Sequence, residues 1–169
     1  MKFKLLFSVF ALSLIIASCG GNKTKTLSLT DIPFEYQGPL FEGSNPAQYV
    51  VAVDLKSIFK EEFKEGMSAD RVVLKKAEIT SNDSSGFDGI NALVMSLAGD
   101  NAELKMQELA VINPIPAGAK VAILNPSSEA EATDFFSEKQ FYLVLDASLA
   151  KDMEKNLKLS GNFEFEIRY

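Results

Sequence analysis

Apolar and polar residues alternate along much of this chain, most clearly over residues 157–169, where Leu, Gly, Phe, Ile and Tyr occupy every second position. A period of two is typical of a β-strand with one buried face and one solvated face. The same pattern predicts further strands within residues 26–34, 49–55, 72–80, 93–97, 104–112, 121–123 and 141–145, with Val121 and Ile123 facing inward. We therefore expect about eight strands.

The connections between these segments predict antiparallel pairing. Gly99-Asp100-Asn101 links two of them, and such residues tolerate the left-handed conformations of tight hairpins. Many short strands without an alternating strand–helix pattern indicate an all-β fold. We expect an antiparallel β-sandwich of Greek-key or jelly-roll type with one short helix.

The predicted helix follows Asp54, which can cap its N-terminus, and ends at Gly66. Its apolar residues at helical spacing should plug an open end of the sandwich; they are Leu55, Ile58, Phe59 and Phe63. A second helical turn is predicted within residues 128–137, where Ser128 and Glu131 have capping-box spacing and two phenylalanines could dock.

The N-terminus has the features of an export signal. Lys2 and Lys4 precede 13 residues without a charge, and a helix of that length spans ~20 Å, short of the ~30 Å hydrocarbon core. The following Ile16-Ala17-Ser18-Cys19 resembles the lipobox of bacterial lipoproteins. The resemblance implies that residues 1–18 are a signal peptide cleaved after Ser18. It also implies that Cys19 carries a diacylglyceryl group, whose acyl chains are of the palmitate type.

Cleavage would leave 151 residues, one domain by length. The residues after Cys19 are small and polar, so residues 19–26 are predicted to be the lipidated cysteine with a flexible tether, and residues 27–169 a single β-sandwich domain. Loss of two lysines lowers the formal charge from −6 to −8. Such an acidic chain is a poor ligand for nucleic acid and for anionic membrane surfaces, so we expect membrane contact through the lipid alone.

The chain contains no histidine, and its single cysteine is the predicted lipidation site. These absences exclude disulfides, a cysteine nucleophile, a Ser-His-Asp triad and a zinc site of the usual ligands. The remaining candidates for acid–base chemistry are carboxylates, namely Glu61, Glu62, Glu129, Glu131 and Asp134. We interpret these carboxylates as solvated surface residues, and likewise Lys75 and Lys76, which are neighbours in the sequence. We expect that the protein binds no cofactor and is not an enzyme.

Two groups of residues are weaker candidates for binding. Asn82, Asp83 and Asp88 lie in an oxygen-rich segment that could ligate Ca²⁺. The favoured interpretation is a strand connection whose side chains form hydrogen bonds with their own backbone. We therefore predict no metal. Phe34, Tyr36 and Phe41 lie within residues 32–46, where no strand phase places them inside, and are candidates for an exposed aromatic surface.

Several loose motifs resemble those of small outer-membrane lipoproteins of unknown function with a β-sandwich domain. They are Val72-x-Leu74-x-x-Ala77-x-Ile79, Gly86-Phe87-Asp88-x-Ile90, Asn113-Pro114-Ile115-Pro116-x-Gly118 and Phe141-x-Leu143. The resemblance implies a fold and an envelope location, and no catalytic residues. Gly20, in place of the Asp that marks retention in the inner membrane, also favours the outer membrane.

The favoured hypothesis is a non-catalytic, lipid-anchored envelope protein with a structural or binding role, whose partner is an envelope protein or polymer. A carrier that holds an apolar ligand inside the sandwich, under the predicted helix, is the alternative. A hydrolase that uses carboxylates alone is a distant third. The sequence leaves the oligomeric state open.

Overall fold

The computed structural model describes residues 23–128 and 131–169, so the predicted signal peptide, Cys19 and Glu129 lie outside the described residues. Eight strands and one short α-helix, α1 (Leu55–Phe59), make up the fold, with 3₁₀ turns at Lys60–Glu62 and Asp134–Ser137. The strands are β1 (Thr24–Tyr36), β2 (Gly43–Ala52), β3 (Arg71–Ser81), β4 (Ile90–Ala98), β5 (Gln107–Ile112), β6 (Val121–Pro126), β7 (Gln140–Leu149) and β8 (Leu157–Arg168).

All eight strands belong to one antiparallel sheet in the order β1-β8-β3-β6-β5-β4-β7-β2. The predicted all-β class, the eight strands, the hairpin between β4 and β5 and the single short helix are confirmed. The sheet curls until it is nearly closed like a barrel. A sandwich of two separate layers is not confirmed, because β5 and β6 pair at Ala110–Pro126 and Val111–Asn125 and so join the two halves.

The edges of this sheet are β1 and β2, and both contain a proline. Pro33 and Pro46 have no N–H to donate, which restricts proline largely to edge strands and bulges. A bulge in β1 between Leu29 and Ile32 places Asp31 at φ 54°, and the Asn162 Oδ1 atom accepts a 2.9 Å hydrogen bond from its backbone N–H. Bulges and prolines are devices that keep an edge strand from pairing with other chains.

The core is built from rings on the inner faces of the strands. The Phe34 and Phe163 rings meet edge to face at 6.2 Å, and the Phe136 ring lies 5.1 Å from that of Phe141 and 5.5 Å from that of Phe165. Strand β8 supplies most of one wall, and its inward positions alternate as the sequence predicted. A Cβ atom on Gly161 would lie 2.6 Å from the Phe163 ring, so this inward position has no room for a side chain.

Three local predictions were wrong. In β6 the buried residues are Ala122 and Leu124, whereas Val121 and Ile123 are 47% and 62% exposed. The helix ends at Phe59, far before Gly66, because Lys60 adopts φ 53°, which an α-helix cannot continue.

Residues 24–26, predicted to belong to a flexible tether, are the first residues of β1. Their backbone pairs with that of residues 166–168 of β8. A polar, small-residue segment can join a sheet edge through its backbone alone, so composition did not reveal that the predicted strand begins as early as Thr24. The described domain therefore begins nearer to Cys19 than the sequence predicted.

The two faces of β8 can be compared at adjacent residues. Phe165 is fully buried and Glu164 lies on the outer face. We expect Phe165→Ala to lower the free energy of unfolding by about 3 to 5 kcal/mol, the usual effect of removing a buried phenyl ring. Glu164→Ala should change it by no more than about 0.5 kcal/mol. Urea unfolding of both variants measures the contrast, and equal effects would contradict the register described here.

Candidate functional site

The domain has two distinct ends. At one end, which we call the helix end, β1 and β3 begin, β8 ends and α1 follows β2. The connections 37–42, 82–89, 113–120 and 150–156 meet at the other, the loop end, where Leu40 bridges Met153 and the Phe87 N–H donates to the Ala119 carbonyl. The two ends and the outer surface of the sheet are the places where a functional site could lie.

At the helix end, Glu62 gathers three donors. The Tyr169 hydroxyl donates to its Oε2 atom at 2.8 Å, and the Lys23 and Lys25 ammonium groups lie 3.3 and 3.5 Å from its carboxylate oxygens. The hydrogen bond from Tyr169, followed by that from Lys23, holds the pKa of Glu62 below its usual value, and the same bond raises the pKa of Tyr169. This cluster ties the 3₁₀ turn to the first strand and to the end of β8.

The Asp54 side chain begins α1 as predicted. Its Oδ1 atom accepts from the Ser57 N–H at 3.2 Å, and the Ser57 hydroxyl donates to Oδ2 at 2.5 Å. These bonds lower the pKa of Asp54. The capped helix places Phe59 so that its fully buried ring lies 4.5 Å from the ring of Tyr169. The helix therefore plugs one end of the sheet.

The outer surface of the sheet has two unlike halves. One half, which we call the charged face, consists of the outward residues of β1, β8, β3 and β6 and carries ion pairs both between neighbouring strands and within β3. Lys158 lies 3.3 Å from Glu35, Lys75 3.6 Å from Glu166, and Lys76 3.3 Å from Glu78. Both lysines 75 and 76 are exposed, because the bulge between Leu74 and Lys76 turns two successive residues outward. Their interpretation as solvated lysines therefore agrees with the structure.

The other half, which we call the apolar face, is almost free of charge. Its outward residues are Ser44, Pro46, Gln48, Val50 and Ala52 of β2; Gln140, Tyr142, Val144, Asp146 and Ser148 of β7; Ala92, Val94, Ser96 and Ala98 of β4; and Glu108 and Val111 of β5. Only Asp146 and Glu108 in this set are charged. Residues 43–53 contain no charged residue at all, a signal that was visible in the sequence and that the strand prediction did not use.

A groove of about 510 Å³ crosses the apolar face. It is lined by Ser44, Pro46, Val94, Ser96, Met106, Glu108, Val144 and Asp146. Met106, which directly precedes β5, stands at its rim with 66% of its surface exposed. Both carboxylate oxygens of Asp146 are occupied, since the Ser44 hydroxyl donates to one at 2.6 Å and the Asn45 N–H to the other at 2.8 Å. Most of the exposed lining of the groove is apolar, and one of its two charges is satisfied internally.

The oxygen-rich loop bonds to itself and to a lysine. Asp83 accepts from the Ser85 N–H at 3.0 Å and from the Lys155 ammonium at 2.5 Å, and the lysine is the main cause that lowers the pKa of Asp83. Asn82 Oδ1 accepts from the Ser160 hydroxyl at 3.4 Å, and Asp88 is exposed. Among the residues that the structure describes, no three acidic side chains are grouped closely enough to hold a metal ion. The bond from the Ser85 N–H to Asp83 is of the kind expected for a strand connection whose side chains bond their own backbone.

The three candidate aromatic residues do not form one surface. Phe34 and Tyr36 lie on the inner face of β1 and are buried, because β1 extends farther than its sequence pattern indicated. Burial raises the pKa of Tyr36, and its hydroxyl donates to the Leu145 carbonyl at 2.9 Å. Only Phe41 is exposed, at 65%. The expected exposure of the group was therefore wrong for two of its three members.

The candidate carboxylates are likewise dispersed. Glu62 belongs to the cluster at the helix end, and Glu131 lies 2.6 Å from the Arg71 Nε atom. Glu131 also forms a backbone bridge with Val73 instead of completing the predicted capping box. Asp134 begins the second 3₁₀ turn, in which Phe135 and Phe136 are buried as expected. Each of these acids has a structural setting of its own.

The sequence matches no protein-family model, and no curated protein matches it. Among solved structures, a crystal structure of FLHE is similar over 88% of this chain and 97% of its own, with 12% identity and a TM-score of 0.33. A resemblance of that size supports no conclusion about function. Across residues 23–128 and 131–169, no helix has both the length and the apolar character needed to cross a membrane.

The cluster at the helix end makes stability depend on pH. Because the pKa of Glu62 is lowered in the folded state, its ionised carboxylate stabilises the fold above its unfolded pKa, and this contribution is lost as the pH falls through the folded value. Glu62→Gln should therefore lower the melting temperature at pH 7, and the difference from wild type should shrink as the pH falls below about 4.

Thermal melts between pH 3 and pH 8 measure this difference. Glu61→Gln removes the same charge from the exposed neighbouring residue and serves as the control. A difference for Glu62→Gln that is constant over this pH range, or one that Glu61→Gln reproduces, would contradict the role assigned to the cluster.

Proposed function

We propose that this chain is an exported bacterial lipoprotein, anchored through Cys19, that holds a non-catalytic β domain beside a membrane of the cell envelope, the outer membrane being favoured. The observation that carries the proposal is the cationic start, the 13-residue uncharged segment and the Ile16-Ala17-Ser18-Cys19 motif in succession. Each buried CH₂ group of a lipid contributes ~0.8 kcal/mol, so two or three acyl chains hold a protein effectively permanently.

The geometry of the domain supports a definite orientation. The Lys23 N–H donates to the Tyr169 carbonyl at 3.1 Å and the Tyr169 N–H donates back at 2.9 Å, which fixes the start of the domain at the helix end. Cys19 precedes Lys23 by four residues, a reach of at most about 14 Å. A lipid on Cys19 would therefore hold the helix end against the bilayer and direct the loop end away from it.

A binding or structural role agrees with the character of the surface. Among the described carboxylates that could serve a hydrolase, Glu62 and Glu131 belong to separate ion pairs, whereas the apolar face provides a continuous surface with a groove. A surface of this kind is typical of interaction sites. Its partner would be a protein or a polymer of the envelope.

We also infer that the halves β1-β8-β3-β6 and β5-β4-β7-β2 pack as the two layers of a flattened sandwich. This inference is supported by the buried hydrogen bond that the Tyr36 hydroxyl of β1, in one half, donates to the Leu145 carbonyl of β7, in the other.

A carrier of an apolar ligand is the second candidate. The interior, where the sequence placed the ligand, is filled with buried side chains, and the observation that favours a carrier is instead a cleft of about 340 Å³ beside α1. The cleft is lined by Val53, Leu55, Met67, Ala69 and Phe136 together with Ser68, Ser137, Glu138 and Lys139. Volumes from about 300 Å³ upward are typical of ligand sites. An apolar dye whose fluorescence rises on binding would report such a site, and the carrier role requires that Met67→Glu abolish the rise while Met106→Glu, on the outer sheet, leaves it intact.

Cys19→Ser tests the lipoprotein proposal, because the thiol is the acceptor of the diacylglyceryl group. Cells fed a clickable palmitate analogue should label the wild-type chain and leave the variant unlabelled and uncleaved. Ser18→Ala retains a small residue before the cysteine and should be labelled as wild type. Label that persists on Cys19→Ser would contradict the proposal.

A further inference from the structure

The two outer faces of the sheet differ in a way that the fold does not require. Outward residues of an antiparallel strand are ordinarily polar, and the charged face follows that rule with its three ion pairs except in β6, where Val121 and Ile123 are exposed. The apolar face has Val50, Val94, Val111 and Val144 at equivalent outward positions. Val50 is 47% exposed, whereas Val94, Val111 and Val144 are half-buried and line the surface between the strands. A contiguous apolar patch of this kind is typical of an interaction surface.

We propose that the apolar face is the interface through which two copies of this chain associate about a twofold axis. A twofold interface needs one patch that carries both a protrusion and a depression, because each copy offers the same surface to the other. The patch has both: Met106, 66% exposed, projects at the rim, and the groove between Pro46, Val94 and Val144 lies beside it. Met106 of each copy would enter the groove of the other.

The charges of this patch are complementary in the same arrangement. Lys105, which is exposed, precedes the protruding methionine, and the charges in the groove are the carboxylates of Glu108 and Asp146. Insertion of Met106 into the facing groove would bring each Lys105 ammonium towards these acids.

The direction of the twofold axis follows from the anchoring, and in this respect alone the inference rests on the proposed function. Two lipid-anchored copies must both place the helix end on the bilayer. A twofold axis parallel to the long axis of the domain, which stands on the membrane, satisfies this condition and brings the lateral apolar faces together. Antiparallel pairing of the two β2 edges would point the copies in opposite directions.

Cross-linking in cells tests the interface with the full chain. Two differently tagged copies are co-expressed, one with Met106→Cys and the other with Ser96→Cys, which lines the groove, and a thiol oxidant is added. We expect a disulfide-linked pair that contains both tags. Ile123→Cys and Glu78→Cys, which are cross-strand partners on the charged face, form the control pair and should give at least ten-fold less.

A second substitution identifies the surface. Val144→Glu in both copies places a carboxylate in the groove and should reduce the Met106–Ser96 cross-link at least ten-fold, whereas Ile123→Glu, at an exposed apolar residue of the charged face, should leave it unchanged. Equal yields for the two cysteine pairs, or a cross-link of either cysteine to a different envelope protein instead, would overturn the proposal.

Palmitate labelling of the same cells separates this inference from the proposed function. A labelled chain that gives no cross-link overturns the interface alone. A cross-linked chain without label overturns the anchoring and the direction of the axis, and supports the interface.

Discussion

The structure depends on closing a sheet whose two edge strands are not hydrogen-bonded to each other in the part of the chain that is described. Side chains close the gap between β1 and β2 instead. The Tyr36 hydroxyl reaches the Leu145 carbonyl, and the Phe59 ring fills the space next to Tyr169 at the helix end. Lys25 donates to the Phe59 carbonyl at 3.1 Å and so joins the first strand to the helix that follows the second. The closure therefore requires α1 to be short and capped.

Closure also explains why the surface that we propose for binding lies on the outside of the sheet. The interior is filled with phenylalanine rings, and buried aromatic rings supply much of the stabilisation available to a domain of this size. The two ends differ: the helix end joins the start of the chain to the plug and carries the β2–β3, β4–β5 and β6–β7 connections, whereas the loop end carries the other four connections. The outer sheet surface is left to vary, and there the charged and the apolar faces diverge.

Sequence reasoning succeeded where one strand carries a long, unambiguous pattern. Strand β8 alternates over its whole length, and its register follows directly. Strand β6 reads Val121-Ala122-Ile123-Leu124, in which both phases are apolar, so the pattern could not decide which face is buried. Strand order could not be predicted either, because β1 pairs with β8 and β3 with β6, and nothing local specifies such partners. The apolar face depends on that order, and so sequence reasoning missed it.

The central claim is that the lipid holds the helix end of the domain against the membrane. Fluorescence quenching by lipids with spin-labelled headgroups tests it on the full, lipidated chain in vesicles. The probe is attached at Lys64→Cys near α1 or at Lys151→Cys in a connection of the loop end, both exposed lysines. Strand β8, with 12 residues tilted as in barrels, separates the ends by roughly 30 Å. Strong quenching at residue 64 and little at residue 151 is predicted. Equal quenching at both residues, or the reverse order, would contradict the claim.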